Sequence, residues 1–194
     1  MRIIAGTARG KQLQTFDGCA VRPTSDRARE ALFSMLNSRL PGWSGLRVLD
    51  AFAGTGALGL EALSRGAAFA CLVEKDAVAA RMVQANINHC GFTANSQLVR
   101  QDALGHLTGP APALPFDLVF LDPPYGQRLV ERCLPLLTAG GWLQPDSLVC
   151  IEADGKDKVP EDVPGYTCLV RRRYGRAEIL LLARCDASCE TTTI

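Results

Sequence analysis

The chain has 194 residues, 47% of them hydrophobic, with 21 Lys and Arg against 20 Asp and Glu. That apolar share is enough for a real core and excludes a disordered chain, while the length suits one domain with a small appendage. No run approaches the roughly 20 apolar residues of a membrane span, and the opening from Arg2 to Lys11 lacks the apolar stretch of a secretory leader.

In chain order, residues 3–5 and 11–13 read as two short strands around a glycine-containing turn, Gly6 to Gly10. A helix is expected over 25–40, where Ala28, Ala31, Leu32, Met35 and Leu36 recur at three- and four-residue spacing. Thr24 or Ser25 can cap it and Pro41-Gly42 stops it. From Gly45 onward strand-like and helix-like stretches alternate. Strands are expected at 46–50, 70–74, 97–100, 116–121 and 148–152, and helices at 57–65, 76–90, 103–107 and 128–137. This alternation predicts an α/β fold with a mostly parallel sheet covered on both faces. After Glu152 it breaks: 154–165 reads as a loop, and 166–174 with 176–184 as an antiparallel hairpin turning at Gly175. The polar stretch 186–194 reads as a flexible tail.

Charge is spread unevenly. Arg2, Arg9, Lys11, Arg22, Arg27 and Arg29 face only Asp17, Asp26 and Glu30 in the first thirty residues, and Arg171, Arg172, Arg173 and Arg176 form a second cluster. Two local surpluses on a nearly neutral chain suggest a positive surface suited to a polyanion, with ordinary solvated charge as the competing reading. The eight cysteines form no CxxC pair and have no histidine at zinc spacing, so no metal site is expected. Several lie in apolar runs as small hydrophobes, consistent with a reducing cytoplasm.

Two motifs carry chemistry. In the first, Val48-Leu49-Asp50-Ala51-Phe52-Ala53-Gly54-Thr55-Gly56-Ala57-Leu58-Gly59, a strand enters a glycine-rich turn and a helix leaves. Such a turn lets backbone approach a nucleotide-like ligand where a Cβ would intrude. Glu74, at the end of the next strand, can accept from ribose hydroxyls, and Asp102, after the third, from an adenine amino group. The candidate cofactor-binding residues are Asp50, Phe52, Ala53, Gly54, Thr55, Gly56, Glu74, Lys75, Asp102 and Ala103. Gly54-x-Gly56-x-x-Gly59 with Glu74 twenty residues on also matches a dinucleotide fingerprint, so a nicotinamide oxidoreductase is a competing reading. Asp50 counts against it, because a carboxylate there opposes a pyrophosphate but suits a cofactor carrying sulfonium and ammonium groups.

The second motif is Asp122-Pro123-Pro124-Tyr125, after the most hydrophobic strand. In an open parallel sheet ligands bind off the carboxyl ends of the strands, so this turn faces the same crevice as the glycine loop. The prolines stiffen it. Asp122 and the Pro123 carbonyl can accept both hydrogens of an exocyclic amine, and Tyr125 offers a face for a base to stack on. Asp122, Pro123, Pro124 and Tyr125 are the catalytic candidates. The structural alternative is a rigid turn with no ligand.

On these motifs the chain resembles the Rossmann-like, class I methyltransferases, and more narrowly the RsmD family, which methylates a guanine N2 amine in bacterial 16S ribosomal RNA. The narrower resemblance rests on Arg2-Ile3-Ile4-Ala5-Gly6, Arg9-Gly10-Lys11-x-Leu13 and the stretch from Arg22-Pro23-Thr24 to Leu32-Phe33. It implies S-adenosylmethionine as cofactor, with Asp50, Gly54 and Gly56 at its methionine end, Glu74 at the ribose and Asp102 at the adenine. Thr24 and Arg27 would also shape that pocket, and Arg2, Arg9, Lys11 and Arg22 would touch RNA. It further implies a seven-stranded sheet, a basic hairpin extension over 1–24, a methyltransferase domain over 25–185, and a cytoplasmic monomer acting on a small-subunit ribosomal particle. The motifs alone leave adenine N6 of DNA or RNA, or a glutamine amide, as alternative targets.

Overall fold

The structure is a computed structural model that describes residues 1–15, 26–124, 126–154, 159, 163–174 and 177–185, with Asp26, Arg27 and Asp154 described through their backbone alone. Arg22, Thr24, Tyr125, the Arg27 side chain and the expected tail lie outside the described residues.

The elements are α1 (Asp26–Asn37), β1 (Arg47–Asp50), α2 (Ala57–Arg65), β2 (Phe69–Val73), α3 (Ala77–Cys90), β3 (Ser96–Val99), α4 (Ala103–Leu107), β4 (Phe116–Leu121), α5 (Leu129–Ala139), β5 (Leu143–Asp154), β6 (Tyr166–Tyr174) and β7 (Ala177–Arg184). A single 3-10 turn, Thr93–Asn95, precedes β3. The strands form one seven-stranded sheet in the order β3-β2-β1-β4-β5-β7-β6. The first five strands in that order pair in parallel, and β7 pairs antiparallel with both β5 and β6.

Alternation along the strands builds one core on each face of the sheet. Val48, Leu118, Phe120, Leu148, Cys150, Ile179 and Leu181 pack on one side with Leu32, Phe33 and Leu36 of α1, Leu60 and Leu63 of α2, and Val83 and Ile87 of α3. Leu49, Val119, Leu121, Val149, Ile151, Leu180 and Leu182 pack on the other with Leu107 of α4 and Val130, Leu134 and Leu137 of α5.

Four elements differ from the sequence expectation, the first being α1, which ends at Asn37 and not at residue 40. β5 starts at Leu143 and runs to Asp154, because Leu143 pairs with Phe116 before a register shift and its far end is extended by pairing with β7. The polar Gln144-Pro145-Asp146 interruption hid this strand's first half. α5 continues to Ala139 through Pro135, buried on its apolar face by Leu134 and Leu137. The N-terminal segment is a hairpin-like pairing without extended strands. Arg2 bridges Gln12, the Ile3 N–H donates to the Lys11 carbonyl at 3.0 Å, and the Leu13 N–H to the Met1 carbonyl at 3.0 Å.

That hairpin is fastened to α2. The Ile4 and Ala5 N–H groups donate to the Glu61 carboxylate at 2.7 and 3.0 Å, and the Ala8 N–H donates to Ser64 Oγ at 3.0 Å. Glu61 is fully buried and ion-paired with Arg65 at 2.8 Å, so its charge is met from both sides. Gly6 permits the close approach, since a Cβ there would stand 1.7 Å from the Ser64 carbonyl oxygen.

Candidate active site

Asp50 closes β1 opposite Phe120 of β4, so the chain leaves both strands at the same edge of the sheet. The glycine loop follows the first and Asp122-Pro123-Pro124 the second, and the two motifs therefore share one rim. Glu74, after β2, and Glu152, near the end of β5, extend it on either side. Four acidic residues therefore stand along this rim, with Lys75 exposed beside Glu74.

Gly54 and Gly56 have φ of 58° and 80°, in the region that favours glycine. They do different work. A Cβ on Gly54 would meet nothing nearer than the Phe52 carbonyl oxygen at 4.0 Å among the described residues, whereas one on Gly56 would press on Leu72, Leu60 and Val83 at 3.2–3.3 Å. Gly59 likewise lies against Leu72 and Asp50, so it serves helix-on-sheet packing. Of these three glycines, Gly54 is the one whose Cβ position is not packed against the core.

Asp50 is 1% exposed. One carboxylate oxygen accepts from the Gly59 N–H at 3.0 Å, and the other is buried and, beyond the lowering influence of the Phe52 N–H, has no hydrogen-bond partner among the described residues. Burial, with Glu74 adding repulsion, pushes its pKa from 3.8 to about 7, against the lowering effect of the Gly59 N–H. Glu74 holds the loop: one oxygen accepts from the Gly54 N–H at 2.9 Å and the other from the Asp76 N–H at 2.8 Å. Asp102 is the N-cap of α4, with one oxygen accepting from the Leu104 and Gly105 N–H groups at 3.1 and 3.3 Å. Phe52 is half-buried, Ala53 and Thr55 are buried, Lys75 is exposed, and Ala103 is buried at the start of α4.

Asp122 is half-buried, Pro123 buried and Pro124 exposed. Burial first, then Glu152 and Asp50, raises the Asp122 carboxyl well above the usual range. Sequence reasoning missed Glu152, although it is an acid near a strand end like the others. Recognising it needed the neighbour relation between β4 and β5.

Asn86 was missed too, and it is fully buried. Its Oδ1 accepts from the Gln14 N–H at 2.8 Å, while its Nδ2 donates to the Gln14 carbonyl at 3.1 Å and the Thr55 carbonyl at 2.9 Å. One α3 side chain thus joins the N-terminal segment to the glycine loop.

The structure separates the basic residues expected to meet RNA. Arg2 is exposed next to Met1, whose sulfur accepts from Thr55 Oγ1 at 3.4 Å, so it stands near the glycine loop. Arg9 is exposed on the turn beside Ser64, roughly 12 Å further along α2 at 1.5 Å per residue. Lys11 donates from Nζ to the His89 and Cys90 carbonyls at 2.8 and 3.2 Å and so caps the end of α3.

The chain as a whole is similar to known proteins. The family described as Conserved hypothetical protein 95 matches residues 1–183. Ribosomal RNA small subunit methyltransferase D of Escherichia coli strain K12 is 38% identical over 173 residues, 89% of this chain and 84% of that one. Its counterpart from Haemophilus influenzae is 36% identical over 176 residues, 90% and 89% of the two chains. The solved structure of the Escherichia coli protein yhhF superposes with a TM-score of 0.84 at 35% identity, covering 95% of this chain and 97% of that one. The chain belongs to the Conserved hypothetical protein 95 family, that of ribosomal RNA small subunit methyltransferase D, and has its α/β methyltransferase fold.

Proposed function

We propose that this protein transfers the methyl group of S-adenosylmethionine to the exocyclic N2 amine of a guanine in small-subunit ribosomal RNA. The carrying observation is the shared rim: Asp50 and Asp122 leave adjacent parallel strands at one edge, with the Gly54 loop following the first. Family membership adds the ribosomal RNA substrate, through relatives named for methylating the small subunit.

The residues fit the cofactor. Asp50 keeps a buried carboxylate oxygen with no side-chain partner among the described residues, and a nearby cation would favour its ionised form. A pyrophosphate would do the opposite, which disfavours the oxidoreductase reading. Glu74 would hold the ribose while fixing the loop, and Asp102 would meet the adenine edge with the oxygen that its capping role leaves free. When bound, the cofactor supplies an electrophilic methyl group on a sulfonium.

Asp122 and the Pro123 carbonyl would accept the two N–H groups of the target amine and turn its lone pair toward that methyl. Orientation of this kind contributes several kcal/mol, within the roughly 7–11 available to well-placed reactants. As the N–C bond forms and the C–S bond breaks, the amine gains positive charge and must release a proton. The Asp122 carboxylate is the acceptor at hand, and its raised pKa makes it a stronger base than an ordinary aspartate. The base must be unstacked to reach this turn.

Mass mapping of ribosomal RNA from cells lacking this protein tests the reading. Loss of one methyl group from a small-subunit guanine is expected. An unchanged methylation pattern, or a missing methyl on adenine N6, would overturn it.

A further inference from the structure

Of the described N-terminal basic residues expected to meet RNA, Arg2 stands near the glycine loop of the catalytic rim and the others do not. Lys11 is engaged at the end of α3, and Arg9 stands well down the side of the molecule. The rim itself carries Asp50, Glu74, Asp122 and Glu152. A polyanion reaching into it needs cations on its flanks.

The pairing register supplies them at the other end of the sheet. β6 is the edge strand and, through two antiparallel pairings, runs in the same direction as β5. Arg172 pairs with Ile179, which pairs with Glu152; Arg173 pairs with Glu178, which pairs with Ala153. Both arginines are therefore level with the rim. They lie roughly 10 Å from β5 and ~15 Å from β4, at about 4.8 Å per strand.

Both are exposed. Because successive residues of a strand face opposite ways, Arg172 emerges on the face of Ile179 and Arg173 on that of Glu178, so they straddle the sheet edge. Arg171 differs: its Nη2 donates to the Val159 carbonyl at 2.8 Å, and its Nε lies 4.0 Å from Glu178. It anchors the strand.

We propose that Arg172 and Arg173 form a phosphate-contact surface for the RNA segment flanking the target base, across the crevice from the N-terminal hairpin. This rests on the RNA-methylating function proposed above. An extruded nucleotide has backbone on both sides, and phosphate contacts fix its register without reading sequence. The competing explanation is that charge on an exposed edge strand merely prevents strand-to-strand aggregation. The two differ in outcome: a charged edge guard would tolerate replacement by glutamate, whereas a phosphate contact would not.

The experiment uses small ribosomal subunits from a strain lacking this protein, with the full-length chain and its R172E/R173E and R172Q/R173Q variants. Wild type should methylate and bind these subunits with an affinity that falls steeply with salt. R172Q/R173Q should lower the slope of log affinity against log salt by roughly 1.4–1.8, for two contacts at about 0.7–0.9 each. R172E/R173E should raise the KM for subunits at least about tenfold. Affinity for S-adenosylhomocysteine and the melting temperature should stay at wild-type values in both, marking the effect as one on RNA. Unchanged KM and salt slope in folded variants would overturn the proposal. If wild type itself fails to bind or methylate the subunits, the underlying function fails first, and that result is visible without any variant.

Discussion

Asp122 and Glu152 follow directly on the paired residues Leu121 and Ile151 of adjacent parallel strands, so two acidic side chains share one corner of the crevice. Their repulsion, added to burial, keeps the Asp122 carboxyl above its usual range. An amine-accepting role needs that carboxyl ionised, so methyl transfer should rise with pH through a window above that of an ordinary aspartate. Glu152→Gln removes the repulsion and should move this acid limb to lower pH. A kcat-against-pH profile whose limb does not move would show that Asp122 does not control the rate.

Asp122→Ala should lower methyl transfer by at least about a hundredfold, the scale of a lost positioning and proton-accepting group. Affinity for S-adenosylhomocysteine should stay within a few-fold. Single-turnover rates with small subunits, beside calorimetric titration of the cofactor product, check both halves.

Asp50 is expected to trade stability against cofactor affinity. Its folded-state pKa lies above the unfolded value, so the folded protein retains a proton between the ordinary carboxylate value of 3.8 and about 7. Stability contributed by the neutral form is present below that window and is lost as the pH rises through it. Asp50→Asn should therefore stabilise the protein at pH 8, by on the order of 1–3 kcal/mol, while weakening cofactor binding. In the wild type, S-adenosylmethionine should bind more tightly above pH 7 than below it, because its cationic groups favour the ionised carboxylate. Thermal melts and titrations at several pH values measure these effects.

Asn86→Ala would leave the Gln14 N–H and the Gln14 and Thr55 carbonyls without their side-chain partner. A loss of about 2–4 kcal/mol is expected, with a fall in melting temperature on the order of 10 °C. Cofactor affinity should drop with it, because Thr55 belongs to the glycine loop. A variant that melts normally would remove Asn86 from this role.

Lys11 and Arg9 should behave differently despite standing two residues apart. Lys11→Ala removes the cap of α3 and should cost about 1 kcal/mol of stability, with little change in the salt dependence of RNA binding. Arg9→Ala should leave the melting temperature unaltered and lower the salt slope by about 0.7–0.9. Equal effects of the two substitutions on the salt slope would reject the distinction.

Most of the fold was legible because its signals are local. Apolar runs such as Leu118-Val119-Phe120-Leu121 mark buried strands whatever their neighbours, and the αL glycines of the loop mark their turn. The seven strands and the hairpin ending stand where periodicity placed them, apart from the first half of β5, whose polar interruption is tolerated because Leu143 pairs with Phe116. Asp50 and Asp122 were recognisable from their places at strand ends.

What the chain alone determined is therefore the alternation of elements and the two motifs, since period and turn chemistry are properties of neighbouring residues. Strand order was decided only in three dimensions, and with it came everything that depends on which strand lies beside which. Glu152 acts on Asp122 because β5 lies against β4, and Arg172 comes level with the rim because two antiparallel pairings carry the register across from Glu152. Lys11 and Asn86 took their places by the same route, for a hydrogen bond between residues more than seventy positions apart is set by packing and leaves no pattern in the intervening sequence.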